Sequence, residues 1–323
     1  MTRAMETLEQ IQETLAEISK RTPDVCVAKF VDIVLHHRLG AENALSERDA
    51  GDDAGHRCRT ERSGSAPCSL KMDWAACVLP RHGEDAHFGH AEAEAGFIGV
   101  ADGVGGYRQH GVDAGAFARD LMESALAKVE LAAKARKIRR LRPKFVLERA
   151  YETAVINGTP GASTAIILSL DRTALRWAYI GDSAFAVLRG GKVIYRSVLQ
   201  QHRFNCPYQL SSNGHGDSLK EVKVGGMSTM MDGDVLVVGT DGLFDNMHDR
   251  QLERAVSMGT ELGFSPKNMS DIVAGIAYKV SMDKWAHSPY STAYSKARGN
   301  QVYGGKEDDI TIIVAYIVSK DSC

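Results

Sequence analysis

Apolar runs in this sequence end repeatedly on an acidic residue. "GFIGVADGVGG" (96–106) carries Asp102 straight after an apolar run and follows it with glycines. "RWAYIGDS" (176–183) does the same with Asp182, and "DVLVVGTDG" (234–242) with Asp241. In the opposite sense, Asp308 and Asp309 stand just before "ITIIVAYIV" (310–318), and Glu84 and Asp85 stand at the entrance to "AHFGH" (86–90). A single acid at a strand end is usually a turn former. Several of them brought to one place would repel strongly in a partly dry site and would require a cation among them. Oxygen ligands alone select a hard ion, Mg²⁺ or Mn²⁺, over zinc. A glycine beside such a ligand, as Gly103 is, lets a backbone carbonyl approach the ion. Two such ions could hold a bridging water as hydroxide and cancel charge on a phosphoryl group during in-line displacement. That chemistry needs no nucleophilic side chain, and the sequence offers neither a GxSxG string nor a cysteine in a nucleophile signature.

The elements that must position these acids follow from periodicity. "STAIILSL" (163–170), "LRWAYIG" (175–181), "FAVLR" (185–189) and "KVIYR" (192–196) are short and rich in β-branched and aromatic residues. They predict neighbouring antiparallel strands, with Gly190-Gly191 as a type I′ hairpin turn. Residues 113–135 place Phe117, Leu121, Ala125 and Val129 at four-residue intervals behind an Asp113 N-cap, which predicts an amphipathic helix. Further helices are expected at about 144–156 and 269–282. Hairpin strands with helices in separate blocks point to an α+β sandwich rather than a doubly wound parallel sheet.

The 323 residues carry a net charge of −2, with 44% hydrophobic and 25% charged residues, which is the composition of a globular chain. So balanced a charge gives no general attraction to nucleic acid or to an anionic membrane. No apolar run approaches the roughly 20 residues of a membrane span, so an integral membrane protein is not expected. The six cysteines form no CxxC pair, which argues against both a zinc site and a disulfide framework and for reduced thiols inside a cell. Leu8, Ile11, Leu15 and Ile18 form a helical apolar stripe, and residues 41–67 have the polar, Gly- and Ser-rich composition of a linker. The expected organisation is an N-terminal helical segment and linker over 1–68, a catalytic domain over 69–318 and a tail over 319–323.

Six ordered strings, "GEDA" (83–86), "ADGVGG" (101–106), "GASTAIIL" (161–168), "YIGDSAFAVLRGGKV" (179–193), "GTDGLFDNM" (239–247) and "GGKEDDITIIVAYI" (304–317), resemble the motifs of the metal-dependent type 2C (PPM-type) serine/threonine protein phosphatases. The resemblance runs from about Ser69 to Val318. "GVADGVGGYRQHGVDAGAF", "QQHRFNCPYQLS" and "GLFDNM" look most like the branch of the T-cell-activation phosphatase, whose animal members are mitochondrial and whose plant relatives include plastid proteins. The acidic N-terminus, with Glu6, Glu9, Glu13 and Glu17, is unlike a transit peptide.

The resemblance implies a four-layer α-β-β-α sandwich around a central antiparallel β-sandwich, with two Mg²⁺ or Mn²⁺ ions at one end. It implies hydrolysis of phosphoserine or phosphothreonine in phosphoprotein substrates by a metal-bridging hydroxide, in a chain expected to be a monomer. By motif position, Asp102 bridges both ions, Gly103 supplies a carbonyl ligand, and Asp241 and Asp308 complete the direct ligands. Glu84 and Asp85 match acids that hold metal-bound waters, and Asp245 lies near the same waters. Asp182 matches an acid linked to a third ion. Asp309 stands where many relatives have Asn and is expected just outside the direct ligands.

Two positions depart from the family pattern. The substrate-binding Arg of many relatives is replaced by Pro80, leaving Arg81 one residue along as the substitute. The His credited as general acid is replaced by Val104, leaving His110 and His82 as candidates. Two other readings compete with the enzyme: a catalytically inactive scaffold of the same fold, and a nucleotide-binding turn in "DGVGGYRQHG". The second lacks a helix starting on a GxGxxG turn.

Overall fold

The computed structural model describes residues 69–91 and 95–320. The Leu8–Ile18 stripe and the linker over 41–67 lie outside the described residues. Two five-stranded antiparallel sheets carry the fold. The first runs in the order β1 (Leu70–Leu79), β14 (Ile310–Ser319), β13 (Val235–Gly239), β7 (Ala184–Arg189) and β8 (Lys192–Arg196). The second runs β12 (Lys223–Met227), β6 (Ala174–Ile180), β5 (Ala165–Asp171), β3 (Gly96–Asp102) and β2 (Asp85–Ala91). Two small ribbons pair β4 (Ala162–Ser163) with β11 (Leu210–Ser211), and β9 (Gln201–Arg203) with β10 (Cys206–Pro207).

The strands are apolar on both faces because each sheet is covered twice. Odd and even positions of a strand point to opposite sides. In β5, Ile166, Leu168 and Leu170 therefore enter the layer between the sheets, and Ala165 and Ile167 face outward. In β14, Ile313, Ala315 and Ile317 face inward, while Ile310, Ile312 and Val314 face the other way. The outer face of the second sheet is covered by α1 (Ala114–Lys134) and α2 (Pro143–Ile156), through Phe117, Leu121, Met122 and Leu147. The outer face of the first is covered by α3 (Asp241–Phe244), α4 (Asp249–Glu261) and α5 (Pro266–Ser281), through Leu243, Leu252, Met269 and Val273. A sixth helix, α6 (Pro289–Arg298), precedes β14. The result is the expected α-β-β-α sandwich. Each large apolar side chain in its three buried layers contributes about 1.5–3 kcal/mol.

Local signals explain the element ends. Asp113 caps α1, its Oδ1 accepting from Gly115 N at 3.0 Å. Gly190 and Gly191 both hold positive φ, 54° and 71°, as a type I′ turn between β7 and β8 requires. Three expectations change. The runs at 175–181 and 185–189 are not paired with each other: β6 belongs to the second sheet and β7 to the first. The chain crosses between sheets over residues 181–183, starting at Gly181, whose φ of 100° is one that glycine adopts readily. Helices α4 and α6 lie outside the runs expected to be helical, although Leu252, Ala255, Val256 and Gly259 recur at helical spacing in α4. Strand β14 continues through Ser319, one residue beyond the expected domain end.

Register fixes which ends of the two sheets hold the acids. Asp85 at the start of β2 faces Asp102 at the end of β3. Ile310 at the start of β14 faces Leu79, and Gly239 faces both Ile312 and Ala184. The acids at 84–85, 102, 182, 241 and 308–309 therefore issue from one end of the sandwich, with Asp182 on the crossing between the sheets.

Candidate metal centre

Close backbone packing builds the floor of the site. Gly103 N donates to Glu84 O at 3.0 Å, and a Cβ on Gly103 would lie 2.1 Å from Ala114 O. Glycine is required there because the start of α1 passes directly over the strand end. The Asp102 carbonyl is held by Thr164 N at 2.9 Å and Ser163 Oγ at 2.8 Å, and Asp102 N donates to Thr164 Oγ1 at 3.2 Å. Burial, reinforced by the charges of Asp241, Asp85 and Asp308, pushes the Asp102 carboxyl well above the usual range. Opposite it, Asp85 Oδ2 accepts from Thr240 Oγ1 at 2.8 Å, and burial raises that carboxyl too.

Asp309 has a different occupation. Its Oδ1 accepts from the backbone N–H of Arg81, of His82 at 2.6 Å and of Gly83 at 3.2 Å, while Oδ2 accepts from Glu84 N at 2.5 Å. Burial alone would push its pKa up, but these backbone donors outweigh it and hold the carboxyl below its usual value. Asp309 is a clip that fixes the loop carrying Glu84 and Asp85.

Glu84 is 5% exposed and pairs with Arg108, whose Nε lies 2.9 Å from Oε1 and whose Nη2 donates to Oε2 at 3.1 Å. Burial, opposed by Arg108, raises the Glu84 carboxyl to about 7. Asp182, 3% exposed, accepts from Gln201 Nε2 at 2.7 Å and is raised by burial to about 7. Asp245 ends α3 and is likewise raised by burial to about 7.

Lys306 lies at the centre of the remaining acids. Its ammonium contacts Asp241 Oδ2 and lies 3.0 Å from Asp308 Oδ2 and 3.3 Å from Asp245 Oδ2. Burial raises Asp308 as well, with Asp241 adding to the shift and Lys306 opposing it. Burial disfavours the charged lysine, but Asp241, Asp245 and Asp308 more than compensate, so its pKa rises well above normal. The backbone of Lys306 is pinned by buried Asn246, which accepts from Lys306 N and donates to Lys306 O, both at 2.8 Å. Among the described residues, no group of three His, Cys, Asp or Glu side chains is arranged to hold an ion.

The structure thus gathers Glu84, Asp85, Asp102, Gly103, Asp182, Asp241, Asp245, Asp308 and Asp309 at one end. Arg81 stays at the rim, half exposed, its Nη2 2.5 Å from Glu307 Oε2. His82 is exposed and gives its backbone N–H to Asp309. His110 and Val104 share a surface depression of ≈ 290 Å³ with Gly106, Tyr107 and Asn213. Sequence reasoning missed Arg108, Asn246 and Lys306. Each lies inside a quoted motif, but its partner is distant in the chain and no periodicity marks it.

The donor set suits a hard divalent cation. Three carboxylate oxygens, Asp85 Oδ1, Asp182 Oδ1 and Asp241 Oδ1, are buried without a hydrogen-bond partner or a cation against them. Orphan acceptors at that density are rare in folded proteins and call for a ligand. Gly105 and Gly106 open a 3-10 turn that ends at His110, and α1 begins only at Ala114, so the nucleotide-binding reading of "DGVGGYRQHG" fails.

Comparison with known proteins agrees with this arrangement. The chain matches no protein-family model. It is 46% identical over 333 residues to a putative protein phosphatase 2C 23 of rice (Oryza sativa subsp. japonica), an alignment spanning the whole of both chains. It is 35% identical over 270 residues to the human protein phosphatase PTC7 homolog, covering 78% of this chain and 86% of that one. Among solved structures it resembles the photosystem II phosphatase PBCP, with a TM-score of 0.66, 31% identity, and coverage of 76% of this chain and 98% of that one. The chain belongs to the protein phosphatase 2C family, the metal-dependent serine/threonine protein phosphatases, near its PTC7 branch.

Proposed function

We propose that this phosphatase carries its divalent ions, Mg²⁺ or Mn²⁺, on Asp102, the Gly103 carbonyl, Asp241 and Asp308, with Asp182 serving a third ion. The observation that carries the assignment is the group of buried, unpartnered carboxylate oxygens at one end of the sandwich. Bound divalent ions supply Lewis acidity, which lowers the pKa of water and neutralises charge on a phosphoryl group.

The chain's own residues supply the rest. Asp309 locks the 81–84 loop, so that Asp85 faces the site with one oxygen free to orient water, while both oxygens of Glu84 are met by Arg108. Arg108 holds the Glu84 carboxylate in place. Arg81, at the rim beside Glu307, is placed to meet the substrate phosphate once it leaves that partner. The depression shared by Val104 and His110 receives the leaving serine or threonine, with His110 its nearest named proton donor. Residues 69–318 are proposed to suffice for this chemistry. No observation favours an inactive scaffold.

Turnover of a phosphothreonine peptide should vanish in EDTA and return with Mn²⁺ or Mg²⁺. Asp102→Asn should fold normally, because it removes like charge from the site, yet lose nearly all rate. Undiminished turnover by the chelated enzyme, or by Asp102→Asn, would overturn the assignment.

A further inference from the structure

The acids expected to bind metal already have a cation among them. The Lys306 ammonium lies against Asp241 and within 3.3 Å of Asp245 and Asp308, on a side chain only 14% exposed. Its position is not that of a mobile surface lysine. Asn246, fully buried, brackets the Lys306 backbone from both sides, and its Nδ2 also donates to Gly242 O at 2.8 Å, beside Asp241. The backbone of the lysine is therefore tied directly to the segment that presents Asp241 and Asp245, while its side chain is held by the acids alone. Close by, Asp182 Oδ1 and Asp241 Oδ1 remain buried and unpartnered, so the ammonium leaves part of the anionic site unsatisfied.

We propose that Lys306 is a tethered cation that competes with a divalent ion for Asp241, Asp245 and Asp308. It neutralises these acids in the metal-free protein and is displaced, or crowded, when that ion binds. The proposal rests on the metal reading above and adds a residue that sets how tightly the ion is held. A lysine in this place has two opposed effects. It stabilises the folded, metal-free chain, because closely spaced buried carboxylates without a counter-ion are costly. It also weakens metal binding, because an ion must give up part of its Coulomb gain to move or tolerate a positive neighbour.

The opposition of signs gives the test. Wild-type protein, Lys306→Met and Lys306→Arg are titrated with MnCl₂ by calorimetry, and their thermal unfolding is followed in EDTA and in saturating MnCl₂. Lys306→Met should bind Mn²⁺ at least about tenfold more tightly, or take up one more ion. In EDTA it should unfold about 5 °C or more below wild type, and saturating Mn²⁺ should close most of that gap. Lys306→Arg keeps the charge and should retain wild-type stability in EDTA. An unchanged or weaker Mn²⁺ isotherm in Lys306→Met, or an arginine variant as unstable in EDTA as the methionine one, would overturn the proposal. A methionine variant that does not fold even with Mn²⁺ would also overturn it, since that is a purely structural role. Absence of any Mn²⁺ binding by wild type would instead refute the metal reading itself.

Discussion

Removing the Asp309 carboxylate tests whether the acid-bearing loop is held by one clip. Asp309→Ala deletes the acceptor of backbone N–H groups from Arg81, His82, Gly83 and Glu84. A hydrogen bond to a charged group is worth about 1.5–3 kcal/mol net, so simple addition would give roughly 6–12 kcal/mol. That sum is too large, because the four donors share two oxygens and Arg81, His82 and Gly83 are exposed, so water can replace the carboxylate for them. Glu84 is buried, and its N–H would be stranded at a cost of about 1–3 kcal/mol. With the loss of loop order the expected total is about 3 kcal/mol, or roughly 6–12 °C in melting temperature for a domain of this size. Asp309→Asn keeps one acceptor oxygen but turns an amide donor toward a backbone donor, and should cost about half as much. Because the folded carboxyl sits below its usual value, the clip's contribution is present at all pH above the unfolded pKa of about 4. It fades only as acid protonates Asp309 below that. Thermal unfolding at pH 7, paired with kcat at a temperature where both variants are folded, measures the effect. The alanine variant should also lose at least about tenfold in kcat through misplacement of Glu84 and Asp85. A melting temperature within 2 °C of wild type, or an asparagine variant less stable than the alanine one, would refute the clip.

Three further outcomes are expected. Because Val104 stands where relatives carry a proton donor, wild type should favour activated aryl phosphates over phosphothreonine, and Val104→His should narrow that preference; His110→Ala should lower the alkyl-phosphate rate by roughly 10²-fold if His110 is the donor, and unchanged leaving-group dependence in both variants would remove this depression from the chemistry. Deleting residues 1–66 should leave a folded, active enzyme, checked by circular dichroism and phosphopeptide turnover, and an inactive or insoluble product would show that the N-terminal segment completes the domain. In EDTA, Glu84, Asp182 and Asp245, raised to about 7, retain protons that the unfolded chain has released above about pH 4, so stability of the metal-free protein should fall as pH rises from 5 to 7 and level off beyond; Asp245→Asn should flatten that fall, and a rise in its place would mean these groups are ionised at no cost.

Much of the site was legible because its acids sit at strand ends, and strands announce themselves by short apolar runs. The runs before Asp102, Asp182 and Asp241 and after Asp309 are all buried on both faces, so they stand out even without strict alternation. What stayed hidden depends on the third dimension. The runs flanking "GDS" look like two arms of a hairpin, and only the sheet register shows that they part into different sheets. Asp309 looks like a second acid of an acidic pair, yet its partners are amides more than 220 residues earlier in the chain. Lys306 reads as a surface lysine in a polar loop until Asn246 and α3 are folded against it.

These hidden contacts explain how the chain tolerates so many acids in one place. Asp309 is neutralised by backbone dipoles, Glu84 by Arg108, and Asp241, Asp245 and Asp308 share Lys306. Among the described residues no cationic side chain pairs directly with Asp85, Asp102 or Asp182, although the Lys306 charge reaches the last two; Thr240 and Gln201 supply a neutral hydrogen bond to Asp85 and Asp182 respectively. Asp85 and Asp102 face each other at the ends of neighbouring strands of the second sheet, and Asp182 stands on the crossing to the first, so this charge gathers at one end of the sandwich. Ionising these carboxylates together without a counter-ion would destabilise that end of the sandwich. A divalent ion placed there would both complete the catalytic site and relieve that repulsion. Metal loading should therefore stabilise the fold and activate the enzyme through the same carboxylates.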